Sequence, residues 1–154
     1  MSSDPPRFLA DAMLLRLARW LRALGYDTLD CPGAEDRELV HRANTDKRCL
    51  LTRDRALLRE LRPKASLYIT SQQPLEQLTQ VVADAGLPKP NLVFSRCLLC
   101  NTPLHRVDVQ APLPEYAAHL THQPRKRCPQ CQRLYWFGAH ARRMEMALHR
   151  AGLS

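Results

Sequence analysis

Two short apolar runs each end in an aspartate and lead into a helix-like segment: Arg7-Phe8-Leu9-Ala10-Asp11 and Cys49-Leu50-Leu51-Thr52-Arg53-Asp54. In open α/β sheets the carboxyl ends of parallel strands converge on one crevice, where ligands bind. Two acids delivered there from separate strands can share a divalent cation. A third acid, Asp36, opens the helix after the second strand, and Glu35 beside it is an alternative donor. Carboxylate oxygens suit Mg²⁺ or Mn²⁺, and such an ion activates water and stabilises the charge of a phosphodiester under attack. Each aspartate also has a plainer role open to it as a helix N-cap. Arg16 and Arg19 lie three apart on the helix after Asp11 and so share a side. With Arg53, next to Asp54, they are placed to anchor phosphate. A solvated helix face is the alternative, and for Arg22 it is the preferred reading.

A second constellation lies near the other end. Cys97-Leu98-Leu99-Cys100 and Cys128-Pro129-Gln130-Cys131 are two C-x-x-C knuckles separated by 27 residues. Four thiolates are the ligand set of a closed, tetrahedral structural zinc site, with no open position for catalysis. The gap is long for a zinc ribbon, so an insertion is expected within it, a short helix over 114–122. His119, His122, His140 and His149 offer no ligand spacing that improves on four cysteines. Tyr135, Trp136 and Phe137 follow the second knuckle and are expected to pack over the ribbon, with stacking on bases as the alternative.

Positioning these groups needs a scaffold, and the apolar pattern supplies one. Strands are expected over 7–11, 26–30, 48–52 and 67–70, and helices over 12–24, 36–45, 54–61 and 74–85. Gly25 stands at a C-cap, Pro63 ends the third helix and Pro74 opens the fourth. Alternating strand and helix implies an α/β fold with a mostly parallel sheet and helices on its faces. The prolines of 87–91 suggest a linker. The expected organisation is a loose tail over 1–6, an α/β domain over 7–90, and a four-cysteine domain over 91–154 ending in a helix over 139–151.

The chain has 154 residues, 45% of them hydrophobic, and a formal net charge of +8. That is enough for one domain and a small appendage. Apolar runs are too short to span a membrane, and the first residues have no signal-peptide core, so a cytoplasmic location is expected. A basic balance favours an anionic partner, nucleic acid first. Residues 97–154 carry eight basic and three acidic residues, against 15 and 12 in residues 1–96. Cys31 and Cys49 stand alone. Paired C-x-x-C motifs in a reducing compartment point to metal rather than disulfides.

The stretch Arg7-Phe8-Leu9-Ala10-Asp11-Ala12-Met13-Leu14, continuing through Leu17-Ala18-Arg19-Trp20-Leu21-Arg22-Ala23-Leu24-Gly25-Tyr26, closely resembles the PIN-like ribonuclease domain named for the C-terminal part of the Mut-seven exonuclease. Leu50-Leu51-Thr52-Arg53-Asp54 and Gln77-Leu78 resemble two further motifs of that family, and the paired cysteines with Tyr135 to His140 resemble its zinc ribbon. The resemblance runs from about residue 7 to 150. It implies a PIN-like three-layer α/β/α fold followed by a zinc ribbon. It also implies a Mg²⁺- or Mn²⁺-dependent ribonuclease acting on RNA, with Asp11, Asp36 and Asp54 as the acidic ligands. One departure stands out: PIN nucleases carry a fourth acid after the fourth strand, where this chain has Thr70-Ser71-Gln72-Gln73. The competing expectation is therefore a non-catalytic, tRNA- or ribosome-associated RNA-binding adaptor. Its main contacts would include Arg125, Lys126 and Arg127 of the ribbon.

Overall fold

In the computed structural model, which describes residues 4–154, the first half of the chain is a four-stranded parallel sheet. Part of the expected N-terminal tail, residues 1–3, lies outside the described residues. The strands are β1 (Phe8–Ala10), β2 (Thr28–Asp30), β3 (Cys49–Thr52) and β4 (Ser66–Tyr68), in the order β2-β1-β3-β4. Helices α1 (Leu15–Ala23), α2 (Asp36–Thr45), α3 (Arg55–Leu61) and α4 (Pro74–Asp84) alternate with them. A 3₁₀ turn, Ala12–Leu14, joins β1 to α1.

Alternation along the strands splits the apolar residues between two cores. Phe8, Ala10 and Leu51 face one layer, packed on Leu17 and Leu21 of α1 and on Leu78 and Val81 of α4. Leu9 and Leu50 face the other, with Leu39, Val40 and Ala43 of α2 and Leu57 of α3. A period of two in the strands thus meets a period of 3.6 in the helices, giving three layers.

The second half forms a three-stranded antiparallel sheet of β5 (His105–Val107), β6 (Arg125–Arg127) and β7 (Leu134–Tyr135). The expected insertion is a 3₁₀ helix, Glu115–Leu120, whose Ala117 and Leu120 pack on Leu134. The final helix, α5 (Ala139–Arg150), returns to the first lobe, where Leu148 and Leu153 join its larger core. The connecting segment is strapped to the end of α1 as well. The amides of Val93 and Phe94 donate to the carbonyl of Ala23 at 3.0 and 3.2 Å. Gly25 sits below at φ +95°, and a Cβ there would come within 2.8 Å of Val93 Cγ2.

The two lobes meet through buried polar groups. Arg22 is 3% exposed, not part of a solvated helix face as expected. Its guanidinium donates to the Thr28 carbonyl (2.8 Å), to the Leu98 carbonyl in the first knuckle (2.8 Å) and to Asp30 Oδ1 (2.5 Å). Asn101 adds a second tie: its Oδ1 accepts from the Thr28 amide at 3.0 Å, and its Nδ2 donates to Asp27 Oδ1 at 2.7 Å. Thr28 belongs to an edge strand, so the side chain satisfies a backbone donor that the sheet leaves open. Arg48 donates to the same Asp27 oxygen at 2.8 Å.

Burial opposes the charge on Asp27, but the hydrogen bonds from Arg48 and Asn101, with the charges of Arg48 and Arg96, outweigh it and hold the carboxyl below its ordinary range. A lowered folded pKa means stability present above the unfolded value, about 3.9, and lost as pH falls through the folded one. Asp27→Asn is therefore expected to be less stable than wild type at neutral pH and to lose less on acidification to below about pH 4. Urea denaturation at a series of pH values measures both.

Candidate active site and metal centre

The strand order makes β1 and β3 neighbours at the centre of the sheet. The chain leaves β1 towards β2 on one side and resumes at β3 on the other, which is a topological switch point, the place where such sheets bind ligands. Asp11 follows β1 and Asp54 follows β3 by two residues, so both stand at this point. Each fills its structural role with one oxygen. Asp11 Oδ1 accepts from the Ala12 amide at 2.8 Å, and Asp54 Oδ1 caps α3 by accepting from the Leu57 amide at 3.1 Å. An ionised carboxylate offers about four lone-pair sites, so capping does not exhaust either acid.

Thr52 connects the two and was not singled out from the sequence. It is fully buried at the end of β3. Its hydroxyl donates to Asp11 Oδ2 at 2.8 Å and accepts from the Asp54 amide at 3.0 Å. The only hint in the sequence was a hydroxyl within an otherwise apolar strand. The bond to Asp11 requires β1 and β3 to be adjacent and in register.

Asp36 is the first residue of α2 and Glu35 its N-cap, and both are exposed. Among the described residues, the four cysteines are the one set of three or more ligating residues whose donor atoms all lie within 4.8 Å of one another. Asp11, Asp36 and Asp54 are therefore not drawn into so tight a cluster. Their chemistry still fits a hard cation, because Mg²⁺ is usually held by one or two carboxylates and keeps several waters. Near the end of β4, where this chain has Thr70-Ser71-Gln72-Gln73 in place of a fourth acid, the Ser71 hydroxyl donates to Glu76 in the first turn of α4. Gln77, 4% exposed, fixes this loop by donating to the Ser71 carbonyl at 2.9 Å.

The arginines divide. Arg53 is half-buried and reaches the Thr70 carbonyl at 3.4 Å, bridging the ends of β3 and β4. Arg16 and Arg19 are exposed and line a groove of 970 Å³ between the two lobes. Arg125 is not the solvent-facing contact expected of it. It is 3% exposed, and its guanidinium donates to the carbonyls of Gln123, Asp108, Val109 and Ala111, which closes the ribbon's long insertion. Lys126 Nζ is likewise engaged, donating to the Phe94 carbonyl at 3.1 Å.

The two cysteine knuckles have the same local geometry. Each residue after the second cysteine, Asn101 and Gln132, is left-handed at φ +64° and +65°. Their amides donate to the carbonyls of Cys97 and Cys128 at 2.9 and 2.8 Å. Thr102 Oγ1 donates to Gln130 Oε1 at 2.7 Å across the pair. Burial pushes the Cys97 thiol up, but hydrogen bonds from the Tyr135 hydroxyl, the amides of Cys100 and Leu99, and Cys131 bring it down to about 7. Cys100 is pushed up to about 12 by burial and its sulfur neighbours. The Cys97 thiolate forms readily, then, and that of Cys100 is opposed unless a cation joins it. Four sulfurs so placed can hold a structural zinc.

These features define a parallel α/β domain with acids at its switch point, joined to a four-cysteine ribbon. The chain belongs to the Mut7-C RNAse domain family, whose model matches residues 6–148. No curated protein and no solved structure matches it. The family assigns a nuclease-like, RNA-related function.

Two outcomes follow from the geometry. Thr52→Val keeps the shape but strands the Asp54 amide, and should lower unfolding free energy by about 1–3 kcal/mol in urea titrations, with Thr52→Ser restoring most of it. Metal analysis of the purified chain should find zinc at one ion per four-cysteine site. Cys100→Ser should lose zinc and lower Tm.

Proposed function

We propose that the protein is a Mg²⁺- or Mn²⁺-dependent ribonuclease that hydrolyses RNA phosphodiesters at the carboxyl ends of β1 and β3. The observation that carries this reading is the placement of Asp11 and Asp54 on adjacent central strands at the switch point, tied through the Thr52 hydroxyl. Membership of a ribonuclease-domain family supports it. When bound, the divalent ion supplies an activated water and neutralises charge on the phosphate.

The protein's own groups have separable roles in this reading. Asp11 and Asp54 hold the ion, with Asp36 or Glu35 approaching from the start of α2. Thr52 orients Asp11 by donating to the oxygen that does not cap the turn, so that the carboxylate keeps one rotamer. Arg16 and Arg19 bind phosphates along α1, and Arg53 holds the ends of β3 and β4 together while lending charge to the crevice. No protein nucleophile is required. Zinc in the ribbon is structural, and its thiolates suit the reducing cytoplasm, where we place the enzyme.

A second reading, a tRNA- or ribosome-associated adaptor that binds RNA without cutting it, draws support from one feature: the three aspartates lack the close gathering of the cysteines. Among the described residues no helix is long and apolar enough to cross a membrane, and neither reading invokes one. Labelled RNAs incubated with the purified protein and Mn²⁺, beside Asp11→Asn, separate the two. The ribonuclease reading expects cleavage that falls in the variant by roughly a hundredfold or more, the scale of losing one group that stabilises transition-state charge, with RNA binding retained. Salt-sensitive binding without cleavage by either protein would establish the adaptor.

A further inference from the structure

We propose that the groove between the lobes is a binding site for unpaired RNA, taking a base against Trp20 or Trp136 and phosphate on Arg16 and Arg19. The inference rests on the ribonuclease reading only in naming RNA as the polymer. The groove measures 970 Å³, near the top of the range of about 300–1,000 Å³ seen for ligand pockets. One wall comes from α1 and the start of α4, the other from β7 and the start of α5. Arg16 lies in the first turn of α1, just past the turn that Asp11 caps. The groove therefore begins beside the elements that carry the acidic site and leads from them to the ribbon.

Its chemistry is specific in two respects. Arg16, Arg19 and Arg133 line it against one acid, Glu76, which already accepts a hydrogen bond from Ser71. This charge is complementary to a phosphate chain. Aromatic side chains from both lobes, Trp20 on one and Tyr135 and Trp136 on the other, line the same groove. Arginine forks together with aromatic faces are how single strands are held without regard to sequence. An apolar peptide would leave the arginines unmatched. Paired RNA would keep its bases stacked within the helix, where its deep, narrow major groove excludes side chains. The groove thus selects unpaired substrate before chemistry begins.

The chain has two tryptophans, and both line the groove, so its occupancy can be read by fluorescence. The full-length, zinc-bound protein carrying Asp11→Asn is titrated with a short oligouridine and, separately, with an RNA duplex of the same length. The single strand should quench tryptophan emission, and the duplex should do so only at concentrations roughly tenfold higher or more. Trp20→Phe should remove part of the quenching. Arg16→Glu combined with Arg19→Glu should weaken oligouridine binding by roughly tenfold or more and flatten its salt dependence. Both arginines are exposed, so circular dichroism and zinc content should be unchanged.

Equal response to duplex and single strand would overturn the proposal. So would RNA binding, seen by anisotropy of a labelled strand, that leaves tryptophan emission unaltered, or the absence of any RNA binding. An emission change that follows protein concentration and ignores RNA would assign the groove to a second copy of the chain. Cleavage by wild-type protein without a tryptophan response sinks the groove and leaves the nuclease. A tryptophan response to oligouridine with no cleavage by wild type does the reverse.

Discussion

A buried guanidinium sets the terms on which this molecule can fold. Arg22 cannot lose its proton, and taking an ion of that size out of water is unfavourable by several kcal/mol unless its donors are matched. Three sources match them: the Thr28 carbonyl, the Asp30 carboxylate and the Leu98 carbonyl in the first cysteine knuckle. The first two belong to the α/β lobe and the third does not. The α/β lobe therefore contains a charge that is fully satisfied only when the ribbon is docked. Breaking such a pairing by removing one side leaves an uncompensated charge in the interior, which is far worse than never having buried it.

The ribbon's shape depends in turn on its cysteines. Leu98 lies between two of them, and Asn101 takes its left-handed conformation as the residue that closes the knuckle. The same Asn101 side chain satisfies the Thr28 amide and meets Asp27. Order thus passes from the four sulfurs to the knuckle backbone, then to Arg22 and β2, then to β1, and finally to the turn held by Asp11. This chain of contacts runs through backbone groups, the Asn101 amide and the buried Arg22 guanidinium. It links the four-cysteine site to the strand that leads to Asp11.

Much of this architecture is legible in the order of residue types. The strand and helix boundaries expected over residues 7–85 lie within one or two residues of the observed ones, because burial on one face is a strong local signal; the exception is α1, which starts three residues late, after a 3₁₀ turn. The cysteine knuckles read just as clearly, since a pair two apart with a turn residue behind it has few other uses. What failed to read was long-range and polar. Arg22 follows Arg16 and Arg19 on the same helix, and nothing local marks it as the one that is buried and reaches a carbonyl across the lobe boundary. Arg125 belongs to a basic triplet, and its burial depends on a loop that folds back over it. Thr52 matters through two hydrogen bonds, and the one to Asp11 exists only in this strand order. Asp11 and Asp54 were legible as candidates because a strand end is a local feature. How closely Asp36 approaches them depends on the loop before α2, which periodicity does not describe.

The return of α5 to the first core has a consequence for how the chain is made. Leu148 and Leu153 pack in the same cluster as Phe8 and Leu17, so segments far apart in the sequence share one interior. A ribosome delivers Phe8 well before Leu153. Until Leu153 has cleared the exit tunnel, the α1–α4 face of the sheet stays partly open, and Arg22 waits for its knuckle. The nascent protein must therefore be kept from sticking to its neighbours throughout its synthesis.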